Sequence, residues 1–125
     1  MDNKIKIVQI FHNNLVEFID SLIEQFPKES DLILVKTFLQ QFCAPSDIIT
    51  YFCKALLNDE VSVMIDKSDE NFFLKNDSLF SDIPNQQKVF HFKTLYKSSN
   101  PQQKEMMWAW IKKFKRIAEI YQQQN

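Results

Sequence analysis

The chain has 125 residues, 45% of them apolar and 25% charged, with a formal net charge of −1; this balance predicts one core-forming domain and excludes both general disorder and a whole-chain polycation. It contains no glycine, where average usage near 7% gives roughly nine in this length. Glycine-rich phosphate loops, dinucleotide fingerprints and nucleophile elbows are thereby excluded in their standard forms, because each needs a tight turn or close backbone approach that glycine provides.

Val8, Phe11, Leu15, Phe18, Ile19, Leu22 and Phe26 fall within one arc at a helical period, which predicts an amphipathic helix over 4–26 stopped by Pro27. Ser30 is placed to N-cap a second helix over 31–42, where Leu32, Ile33, Leu34, Val35, Phe38 and Leu39 leave little polar surface and predict a central position. Pro45 ends that run, and Ser46 with Asp47 restarts helix for 48–57, with Tyr51, Phe52 and Leu56 as its packing face. The spacing of Val61, Val63, Met64 and Ile65 fits either a helical turn or a short strand and is read as a short helix. Residues 69–74 predict one helical turn with acids at its N-terminus, where the helix dipole favours them. Pro84 is placed in the first turn of a helix ending near Tyr96, with Val89, Phe92 and Tyr96 inward. Asn100, Pro101 and Gln103 form a capping-box signature for a last helix over 101–122, whose buried stripe is Met107, Trp110, Ile111, Phe114, Ala118 and Tyr121. With no repeat and no long linker, the expected architecture is all-α, a single-domain array or bundle of about five helices over 1–125.

The longest apolar run is the six residues from Met106 to Ile111, far short of a membrane span, and no secretion signal opens the chain. Two cysteines, Cys43 and Cys53, favour a reducing compartment over a disulfide scaffold. Neither they nor His12 and His91 have chelating spacing, so no metal and no cofactor are expected. His12 lies at the edge of an apolar arc and reads as a hydrogen-bonded core histidine, whereas His91 reads as solvated. Both cysteines sit in apolar contexts and read as small hydrophobes rather than nucleophiles. The acids Asp66, Asp69, Glu70, Asp77 and Asp82 lack the glycine and terminal glutamate of a calcium loop and read as helix-start acids. No enzyme activity and no small-molecule substrate are expected.

Charge is unevenly distributed. Residues 1–60 sum to −4 and residues 61–125 to +3, and from Lys88 to Arg116 eight bases accompany the single acid Glu105. Helical geometry sets Lys112 and Arg116 opposite the buried stripe, Lys115 on its flank, and Trp108 on the polar face one turn before Lys112. Lys104, Trp108, Lys112, Lys115 and Arg116 are therefore the expected partner-binding residues, with Trp108 exposed as their aromatic anchor.

Twelve Phe, three Tyr and two Trp are many for a 14.9 kDa chain, and surplus aromatics often sit at interfaces. The leading expectation is a non-enzymatic protein-interaction module that meets a protein partner or a second copy of itself. The alternative is a nucleic-acid-binding regulatory module using the basic C-terminal helix. The blocks FHNNLVEFIDSLIEQFP, DLILVKTFL, DENFFLKND and MMWAWIKKFKRIAEIY together resemble short helical proteins encoded by large nucleocytoplasmic DNA viruses of algae and protists. That resemblance implies a viral protein made in an infected cell, in the host cytoplasm or nucleus or carried in the virion. It implies no defined activity and leaves open a minor virion component, a regulator of viral gene expression or a host-factor antagonist; a virion-associated or assembly protein is the leading expectation.

Overall fold

The computed structural model describes residues 2–75 and 94–124, and every regular element among them is helical. The helices are α1 (Asp2–Gln25), α2 (Asp31–Gln41), α3 (Pro45–Leu56), α4 (Asp59–Asp66), α5 (Glu70–Lys75) and α6 (Pro101–Gln122), with 94–98 also helical just before α6. The all-α expectation holds. The predicted positions of Asp77, Asp82, Pro84, Val89, His91 and Phe92 lie outside the described residues.

The two long helices, α1 and α6, pack against each other and both pack against α3. Where they meet, Phe11, Ile49, Met107 and Ala118 are fully enclosed. Phe114 is the hub: its ring lies 5.4 Å from Phe11, 5.6 Å from Phe18, 6.0 Å from Phe52 and 5.8 Å from Trp110. Tilted and edge-on rings at these separations add to the stabilisation from area burial alone. α4 packs against α3 and α6, burying Val61 and Ile65.

The ends of the helices follow local chemistry. The Asn100 side chain accepts from the Gln103 N–H at 2.8 Å while the Gln103 side chain accepts from the Asn100 N–H at 3.0 Å, the reciprocal box expected for α6. Asn58 caps α4 by accepting from the N–H groups of Glu60 and Val61. α3 begins earlier than expected: Pro45 occupies its first turn, where its missing N–H has no helical partner to lose, and Ser46 and Asp47 lie inside the helix. Ser30 stands at the N-cap of α2 but makes no side-chain cap, because its backbone is already helical at φ −63°, ψ −23°.

One expectation about packing is overturned. α2 is not central; it rests mainly against α1 and buries no residue. Leu32, Val35 and Leu39 turn inward and are half-buried, Lys36 reaches Asp20 of α1 at 2.6 Å, and Ile33, Leu34 and Phe38 on the other side are exposed.

Candidate functional site

The five expected partner-binding residues do not form one open face. Trp108 is only 8% exposed. Its Nε1 donates to the Tyr96 hydroxyl at 2.7 Å, and the Phe73 ring meets it edge-on at 5.1 Å. The expectation of an exposed anchor took α6 to be covered on one side only. In the fold α3 and α1 cover one side, while α5 and the turn carrying Tyr96 cover another. That second layer encloses Trp108.

Two of the lysines are also engaged, one by this layer and one by α4. Lys104 approaches Glu70 at 3.5 Å and sits 5.2 Å from the centre of the Tyr96 ring. The Tyr96 hydroxyl donates to the other Glu70 oxygen at 3.3 Å, so Trp108, Tyr96, Glu70 and Lys104 form one continuous polar chain between α5 and α6. Burial pushes the Tyr96 hydroxyl above its ordinary pKa, the Trp108 N–H partly opposes this, and neighbouring Glu70 reinforces it. Lys115, expected on the flank, is buried; its ammonium lies 2.6 Å from Asp66 and donates to the Ser62 carbonyl at 3.3 Å. Lys112 and Arg116 are the members of the set that remain exposed.

The acidic cluster is the other half of this arrangement. Asp66 and Glu70 pair with α6, and the Asp69 carboxylate accepts from the Phe72 N–H at the start of α5. Among the described residues no group of three or more His, Cys, Asp or Glu side chains is placed to hold a metal ion. The thiols of Cys43 and Cys53 both have raised pKa values, with desolvation as the main cause, and Cys53 contacts the Ala118 carbonyl at 3.6 Å. Such thiols are poorly ionised and weakly nucleophilic at neutral pH. His12 is half-buried, but its Nδ1 has no hydrogen-bond partner among the described residues, contrary to the satisfied core histidine expected.

Among the described residues, the largest group of exposed large apolar side chains is on α2 and its C-terminal cap. Ile33 is 54% exposed, Leu34 56%, Phe38 44% and Phe42, at its C-terminal cap, 72%. The rings of Phe38 and Phe42 stack with centroids 6.2 Å apart. Thr37, one turn after Ile33, donates its hydroxyl to the Ile33 carbonyl. The signal was present in the sequence as a helix apolar on nearly all sides. Such a pattern marks a helix covered all round, and it does not say whether its own chain or another supplies the cover. No helix among the described residues is long and apolar enough to cross a membrane.

Comparison with models of known protein families, with curated proteins and with solved structures finds no match to this chain.

Proposed function

We propose that this protein is a non-enzymatic interaction module that docks through the outer face of α2, acting as a virion-associated or assembly component in an infected cell. The observation that carries this reading is the row Ile33, Leu34, Phe38 and Phe42, four large apolar side chains left in solvent on one helix. Exposed apolar patches of this kind, with stacked aromatic rings, are frequent sites of protein contact. The viral setting is supported by the sequence resemblance alone.

The test is recovery of the tagged full chain from infected cells. The wild type is expected to retain a stoichiometric protein, Phe42→Glu to lose it with the fold intact by circular dichroism, and the double change Lys112→Glu, Arg116→Glu to retain it. Loss only in the Lys112 and Arg116 variant would overturn the assignment to α2. The nucleic-acid alternative is supported by Lys112 and Arg116, which offer charge without a stacking aromatic now that Trp108 is enclosed. It calls for anisotropy of labelled oligonucleotides to rise at low salt and collapse as salt increases.

A further inference from the structure

We propose, resting on the docking role of α2, that the occupant of this face is a second copy of the same chain, joined about a twofold axis with the two α2 helices antiparallel. Charge is the first argument. The outward residues Ile33, Leu34, Thr37, Phe38, Gln41 and Phe42 carry none, and Lys36 turns back to Asp20 at 2.6 Å. A partner bringing acidic or basic groups to this row would strand them in an apolar contact without counterions, which is costly. A second copy brings the same uncharged row, and a net charge of −1 per chain gives little long-range repulsion.

Size is the second argument. With Phe side chains carrying on the order of 200 Å² each, the fractional exposures of the four apolar residues amount to roughly 400 Å² of apolar surface. That is about half of what each partner contributes to a standard stable interface of roughly 800 Å² a side. Thr37, Gln40 and Gln41 can rim the contact, which then falls in the small, reversible class rather than the obligate one. A twofold contact suits a short patch, because each group is used twice across the axis.

Geometry sets the orientation. The eleven residues of α2 span about 16 Å at 1.5 Å per residue. Leu34 and Phe38 lie symmetrically about the middle of α2, with Ile33 near its start and Phe42 at its C-terminal cap. Antiparallel packing sets Leu34 of each copy against Phe38 of the other across the axis, with Phe42 and Thr37 on the two flanks of the seam. It also sets the positive N-terminal end of each helix dipole beside the negative C-terminal end of its neighbour.

Sedimentation equilibrium of the full chain, over about a hundredfold range of concentration, tests this. The wild type is expected to rise from one chain mass of 14.9 kDa towards twice that value. Phe42→Glu and, independently, Thr37→Arg are expected to hold it at one chain mass with unchanged circular dichroism. Persistence of the dimer in both folded variants would overturn the proposal. So would a wild type that stays monomeric throughout; if a heterologous protein is then still lost by Phe42→Glu in the recovery from infected cells, the docking function stands and only the second copy is eliminated.

Discussion

Ser68 adopts φ 53°, the one positive value at a non-glycine position among the described residues. It closes α4: the Ser68 N–H donates to the Ile65 carbonyl and the Asp69 N–H to the Met64 carbonyl, both at 3.0 Å, a Schellman ending with serine where glycine is usual. A chain without glycine accepts a steric cost there. Ser68→Gly is expected to stabilise the fold by about 0.5–1 kcal/mol, read as a higher urea midpoint at an unchanged slope. Trp108 is the second residue whose surroundings give a definite outcome. Enclosed by Phe73 and bonded to Tyr96, it is expected to lose about 3–5 kcal/mol on change to Ala, comparable with Phe114→Ala at the aromatic hub. A Trp108→Ala protein that melts near the wild-type temperature would show that the layer formed by α5 does not hold it.

At the scale of helices, what was legible in the sequence was local, and what was not depended on neighbours. The capping box of Asn100 and Gln103 and the span of α6 are written within one segment, because the groups that satisfy each other lie three residues apart. The stripe of Met107, Phe114 and Ala118 is likewise a property of one helix, and all three are buried. Trp108 and Lys115 are buried against the expectation from α6 alone because their cover comes from α4, α5 and Tyr96, which no periodicity within α6 encodes. α2 departs from expectation in the opposite direction. Its apolar composition predicts burial by its own chain, whereas α1 covers the side of Leu32, Val35 and Leu39. The joint between α4 and α6 also has an expected weight. Asp66 is exposed, so its pair with Lys115 is screened on one side and contributes modestly. Lys115→Met keeps the buried stem and removes the charge; it is expected to change stability by no more than about 1 kcal/mol in denaturant titration. Lys115→Ala, which also removes the stem, is expected to cost more.

Over the whole molecule, the charge asymmetry of the sequence is met in part inside the fold. Asp66 and Glu70 lie against Lys115 and Lys104, so part of the basic segment is engaged in joining α4 and α5 to α6. The apolar surplus is distributed differently. The rings of α1, α3 and α6 gather around Phe114, while those of Phe38 and Phe42 stand outside on α2. The protein thus combines a polar face engaged in part within the fold with an apolar face that is open. Hydrogen–deuterium exchange of the wild-type chain, compared at dilute and concentrated protein, tests this combination most directly. The predicted result is slowed exchange on association across 32–42, with exchange in 104–116 unchanged. Protection appearing at 104–116 while 32–42 exchanges freely would contradict it.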